Sequence, residues 1–176
     1  MSLTLDIPTL TTDRLILRAP EARDFDAVAD FYAEPRSEGF GGVISRDQSW
    51  RWFASNIGHF ALRGYGFWTV ETKGGEGIGM VGLWAPEGWP EPEIGWFVHS
   101  TEIEGKGYAR EAAEAMRAHA YGPLGFTTLI SLIVHGNDRS EGLATRLGAW
   151  YERDWTSPGG HVTRIFRHPS PEDLPA

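Results

Sequence analysis

Glu93-Ile94-Gly95-Trp96-Phe97-Val98-His99 runs into Ser100-Thr101-Glu102-Ile103-Glu104-Gly105-Lys106-Gly107, and Tyr108-Ala109-Arg110-Glu111-Ala112 follows without a break. The first seven residues have the composition of a strand, and the next eight end as a glycine-rich turn. From Ala109 onward, Ala112, Ala113, Met116 and Ala120 mark one face of a helix. A strand that enters a helix through glycines exposes unpaired backbone N–H groups beside the positive end of the helix dipole. Such a turn can wrap a pyrophosphate, or it can simply redirect the chain. Two better-known phosphate loops are absent: there is no G-x-x-x-x-G-K-[ST], and Gly105-Lys106-Gly107-Tyr108-Ala109-Arg110 lacks the third glycine of the dinucleotide fingerprint.

The segments on either side supply an architecture. Before the turn, Arg14 to Ala19 alternates as a half-buried strand. Phe25, Val28, Phe31 and Tyr32 keep helical spacing from Asp24, and Glu34 to Ile44 is a loop rich in glycine and proline. Ser45 with Gln48 forms a capping-box pattern ahead of a second helix that reaches Gly64. Gly66 to Glu71 and Gly77 to Trp84 read as a hairpin around Lys73-Gly74-Gly75. After the turn, Thr127 to Val134 is a nearly continuous apolar run suited to a buried strand. Asn137 to Leu147 gives a fourth helix, and strands near Trp150 to Asp154 and His161 to Arg167 follow. The pattern predicts an α/β (α+β) mixed sheet with helices on its faces, in one domain over residues 1–176, with a core from about 10 to 168 and frayed tails.

The 176 residues carry a net charge of -8 and no cysteine. A chain of this length buries a sufficient core without disulfides, and thiolate chemistry and cysteine zinc sites are excluded. The acidic balance argues against a nucleic-acid surface and is compatible with an amine partner. No apolar run approaches a membrane span, and Asp6, Pro8 and Asp13 break any signal-peptide order, so a cytoplasmic protein is expected. Histidines 59, 119, 135, 161 and 168 show no ligand spacing, and no metal is expected. The acidic pairs Glu91 and Glu93, and Glu102 and Glu104, read as solvated faces rather than glycosidase carboxylates. Of eight tryptophans, six crowd between Trp50 and Trp96, more than one small core absorbs, so some are expected to line a cleft.

Gly107-Tyr108-Ala109 closes an R/Q-x-x-G-x-G/A pattern, and Thr12-Asp-Arg-Leu-Ile-Leu-Arg18, Glu93-Ile-Gly-Trp96, Gly105 to Ala112, Asn137-Asp-Arg-Ser140 and Leu147-Gly148 accompany it in order. Over residues 10 to 167 the chain resembles the GNAT acetyltransferases, in particular their ribosomal-protein (RimJ/RimL-like) branch. One departure is that Glu104 stands where the pattern has Arg or Gln. The resemblance implies a mostly antiparallel sheet of about seven strands and about four helices, with a splayed strand pair at the cleft. It implies acetyl-coenzyme A as cosubstrate, its pantetheine arm along the backbone of Phe97, Val98 and His99, and its pyrophosphate on Gly105, Lys106, Gly107, Tyr108, Ala109 and Arg110. A backbone N–H near Phe97 or Val98 would polarise the thioester carbonyl. Lys106, Arg110 and Arg139 are the cations near the turn, Asn137 would touch the pantetheine, and Ser140 would protonate the leaving thiolate. Asn137 is equally a helix cap.

Amine attack requires the neutral amine, so an α-amine is an easier target than a lysine. Glu93 is the first candidate for the base, or else a rim charge, and His99 lies on the same strand face. Phe40, Trp50, Trp68, Trp84 and Trp89 are candidate walls for the acceptor, with core packing as the alternative. The expected partner is a peptide N-terminus or an amine-bearing small molecule, with no nucleic acid or membrane, in a monomer or homodimer. A non-catalytic acyl-coenzyme A binding module is the competing reading.

Overall fold

A computed structural model describes residues 4–174. Its elements are β1 (Leu10–Thr11), β2 (Leu15–Arg18), α1 (Phe25–Ala33), α2 (Arg46–Arg63), β3 (Phe67–Thr72), β4 (Gly77–Trp84), β5 (Glu93–Val98), α3 (Tyr108–Tyr121), β6 (Ile130–Val134), α4 (Asp138–Arg146), β7 (Trp150–Thr156) and β8 (Val162–Arg167). Short 3-10 turns cover Ala22–Asp24, Pro35–Phe40 and Thr101–Ile103. The eight strands form one sheet in the order β1-β2-β3-β4-β5-β6-β8-β7. Every neighbouring pair is antiparallel except β5 and β6.

Local chemistry sets these boundaries. Ser45 and Gln48 bond each other's backbone N–H groups and start α2, which Gly64 ends at φ 81°. The β3–β4 hairpin closes with Gly75 donating to the Thr72 carbonyl at 2.9 Å. Side chains alternate across the sheet, so Phe67 packs under α1 and α2 while the adjacent Trp68 packs against α3. The apolar stripe of α3, Ala112, Ala113, Met116 and Ala120, is fully buried; its small side chains let the helix lie close to the sheet. Phe25, Val28, Phe31, Tyr32 and Phe53 cover the opposite face.

The expected sheet is correct in class and has one strand more than predicted. β1 spans two residues, too short for alternation to register. The segment from Glu34 to Ile44 is not all loop: Pro35–Phe40 coils into a 3-10 helix whose Ser37 hydroxyl donates to the Glu34 carbonyl at 2.8 Å. The strand expected from Thr127 begins at Ile130, where the backbone N–H reaches the carbonyl of Pro92, the residue just before β5, at 3.3 Å. The expected frayed tails, before residue 10 and from Pro169, lie partly outside the described residues; within them Pro169 accepts a 2.7 Å bond from the Tyr121 hydroxyl. Among the described residues no helix is long and apolar enough to cross a membrane.

The site originates where the sheet fails to close. β5 and β6 share a single register pair, Glu93 with Ile130. One residue further, Ser131 Oγ donates to the Ile94 carbonyl at 2.7 Å. Beyond that clasp the strands diverge, which leaves backbone polar groups of β5 without a strand partner.

Candidate active site

The His99 N–H donates to the Ile78 carbonyl of β4 at 2.9 Å. By two-residue alternation the backbone groups of Phe97 face β4 as well, and those of Trp96 and Val98 face the open edge. That edge forms one wall of a cleft of about 980 Å³, whose other walls are the Gly105–Arg110 turn, the start of α4 and the Pro35–Phe40 turn. Gly105 and Gly107 take φ of 75° and 81°, the left-handed region that favours glycine. The first intrahelical bond of α3 is donated by Glu111 to the Gly107 carbonyl, so the N–H groups of Tyr108, Ala109 and Arg110 precede it and remain available. Arg36, Arg110, Arg139 and Arg146 line the same cleft against Glu104 and Asp138. It is a locally cationic opening in an acidic protein.

A second cavity of about 570 Å³ lies across the splay. Tyr32, Phe40, Trp52, Phe67, Trp84, Trp89, Trp96 and Trp155 supply its aromatic wall, Leu132, Ile133 and Val134 of β6 an aliphatic one, and Glu38 and Glu93 its carboxylates. Gly39, Phe40, Trp96 and Ser140 border both spaces, so the two cavities meet at the start of α4. Glu93 accepts from Trp89 Nε1 at 2.9 Å and from the Leu132 N–H at 3.2 Å. Burial outweighs both bonds and pushes its carboxyl up to about 7. Trp89 is itself braced by Trp155, with ring centroids 5.7 Å apart.

Several sequence expectations need correction. Trp68 is fully buried against α3, its indole donating to the Pro8 carbonyl at 2.8 Å, and does not reach the aromatic cavity. Trp50 is 51% exposed on α2, edge-on to Phe25, and borders neither space. Both follow from helix or strand phase, which the choice of wall residues ignored. His99 also borders neither space: its ring packs near Phe97 on the α1 side, and burial lowers its pKa. Its backbone is consumed by Ile78 and by Arg36 Nη1, at 2.9 Å each, and the backbone of Phe97 faces β4 although its side chain reaches the cleft. Lys106 is exposed outside the cleft lining. Asn137 Oδ1 caps α4 by accepting from the Ser140 N–H at 3.2 Å, while the residue still borders the cleft.

Three contributions were missed. Arg36 crosses the splay to bond the Val98 carbonyl at 3.3 Å and Glu104 at 2.6 Å. Trp52, Trp96 and Trp155 complete the aromatic wall, and His161 and Thr163 stand beside Trp155. Gly39 lies so close to the Asn137 amide that a Cβ would collide with it. The only sequence signal was positional: Trp52 lies four residues before Asn56 on one helix face, and Trp96 alternates with Ile94 on β5. Among the described residues no three His, Cys, Asp or Glu side chains gather as a metal site.

Comparison with known proteins agrees with this construction. The family model described as "Acetyltransferase (GNAT) domain" matches residues 14–149. The structure of an acetyltransferase from Agrobacterium tumefaciens str. C58 is 34% identical and superposes with a TM-score of 0.86, covering 96% of this chain and 98% of that one. The uncharacterized protein YkkB of Bacillus subtilis (strain 168) is 29% identical over 157 residues, 85% of this chain and 91% of YkkB. RimL, a ribosomal L7/L12 α-N-protein acetyltransferase solved with coenzyme A, shares the fold at 16% identity, with a TM-score of 0.72 over 92% of this chain and 97% of RimL. The chain belongs to the GNAT acetyltransferase family. It is an N-acetyltransferase whose cosubstrate is acetyl-coenzyme A.

Proposed function

We propose that the chain transfers acetyl from acetyl-coenzyme A, bound in the cationic cleft, to a neutral primary amine held in the aromatic cavity. The acceptor is a small-molecule amine or a peptide N-terminus. The observation that carries this reading is the junction of the two spaces at Ser140, Phe40 and Trp96, with an elevated carboxyl on one side and the glycine turn on the other.

The residues divide the work. The turn N–H groups and the arginines hold phosphate oxygens, and the exposed edge of β5 offers the backbone of Trp96 and the N–H of Val98 to an extended pantetheine arm. One of those N–H groups, aimed at the thioester oxygen, stabilises the charge that builds there. Acetyl-coenzyme A supplies the activated acetyl group. Glu93, half ionised near pH 7, takes the proton from the acceptor ammonium or from the attacking nitrogen, directly or through one water. Ser140, bordering both spaces, gives a proton to the departing sulfur.

Calorimetric titration with acetyl-coenzyme A and a thiol-release assay over amines test this directly. Binding with thiol release is expected. Ser140→Ala should keep the cosubstrate affinity and lower kcat by about 10- to 100-fold. Native affinity combined with native kcat in that variant removes Ser140 from the mechanism, and failure to bind acetyl-coenzyme A overturns the assignment of the cleft.

A further inference from the structure

We infer that the acceptor is a primary amine with an aromatic-sized apolar body and no negative charge, an arylalkylamine by chemical class. This rests on the assignment of the aromatic cavity as the acceptor site. Eight large aromatic side chains, among them Phe40, Trp52, Trp84, Trp89, Trp96 and Trp155, border a space of about 570 Å³, which suits a compact ligand. Its carboxylates are Glu93, sunk in the wall, and Glu38, exposed toward solvent. Among the described residues no lysine or arginine borders it. A cationic amine is therefore attracted by both carboxylates and by the indole faces. A carboxylate on the acceptor finds no lysine or arginine to pair with and faces Glu93.

Shape argues in the same direction. The β7–β8 hairpin closes one side through Trp155, Ser157 and His161, and Gly41 and Gly42 close another. A peptide acceptor needs a groove with backbone partners along its length, whereas eight of these lining side chains are aromatic rings that offer faces to one apolar body. Polyamines need several spaced anions, and only two are present. In the reaction the amine nitrogen bonds the acetyl carbon, the C–S bond breaks, the nitrogen's proton leaves through Glu93, and coenzyme A departs as the free thiol.

The test compares phenethylamine and tryptamine with phenylalanine, tryptophan, spermidine and a short peptide amide beginning with alanine, read by thiol release. Phenethylamine should exceed phenylalanine in kcat/KM by at least about 100-fold, because the added carboxylate is buried unpaired. Trp155→Ala should raise the KM for phenethylamine by about tenfold and leave the KM for acetyl-coenzyme A unchanged. Turnover that favours the peptide, spermidine or the amino acids overturns the acceptor class while upholding acetyl transfer. If acetyl-coenzyme A binds but no amine turns over, quenching of the cavity tryptophans in the presence of coenzyme A decides: tighter binding of phenethylamine than of phenylalanine by the same margin supports the class, and equal or reversed affinities overturn it. Failure to bind acetyl-coenzyme A is the distinct failure of the functional assignment.

Discussion

Glu93 and Glu104 carry the chemistry that single residues control. Burial raises the Glu93 pKa to about 7, so the stability linked to it is present below the ordinary carboxylate range and is lost as pH rises through 7. Glu93→Gln should therefore melt at a higher temperature than the native protein at pH 8, yet lose about 100-fold in kcat/KM together with the limb of the pH–rate profile centred near 7. An unchanged limb would assign the base elsewhere. Glu104 holds two cleft arginines at once, Arg36 at 2.6 Å and Arg139 by a shorter contact. Glu104→Gln frees both for phosphate, and the dissociation constant of acetyl-coenzyme A should fall by about tenfold in calorimetry. A weaker complex would instead mean that Glu104 positions Arg36. The type of residue at 93 and 104 was legible in the sequence. Their environments were not, because Trp89, Leu132, Arg36 and Arg139 are brought to them by the fold.

Elements meet through contacts that no local pattern announces. The Pro35–Phe40 turn is held at the mouth of the site by Arg36 and by the close approach of Gly39 to Asn137, so a segment that reads as a loop is a fixed wall. The Ala22–Asp24 turn is tied to the sheet through Arg18, which grips Asp24 at 2.9 and 2.8 Å and Glu71 at 2.8 Å, while Thr69 donates to Asp24 at 2.9 Å. Burial by itself would raise the Asp24 pKa, but Arg18 and its other donors hold it below the ordinary carboxylate value. Its stabilising contribution is thus present above that value and lost as pH falls through the lowered one. Arg18→Ala leaves buried Asp24 without its guanidinium and Glu71 with only the longer 3.6 Å contact to Arg23, and should cost about 3 kcal/mol, a fall in Tm of about 6–12 °C by calorimetry at neutral pH. A loss below about 1 kcal/mol would show the network to be solvated like a surface pair.

At the scale of the molecule, the cleft joins segments from Phe31 to Arg146, including α1, β5, α3 and α4, so cosubstrate binding stabilises the fold as a whole. At 100 times its dissociation constant acetyl-coenzyme A adds about 2.7 kcal/mol, and Tm should rise by about 5–10 °C in a thermal-shift measurement. No shift at a saturating concentration would mean that the ligand does not distinguish the folded state. The sequence alone determined the order of strands and helices, the glycine turn with its available N–H groups, and the family. Hydrophobic period, caps and glycine conformation act over a few neighbouring residues, and all of these are visible in one dimension. Only the tertiary structure decided where the splay that the resemblance implies opens, after the single register pair of β5 and β6, that Trp52, Trp96 and Trp155 rather than Trp50 and Trp68 wall the second cavity, and that Arg36 rather than Lys106 lines the cleft. Each of these depends on which face of one element meets a partner distant in sequence, and that is fixed by how the whole core packs.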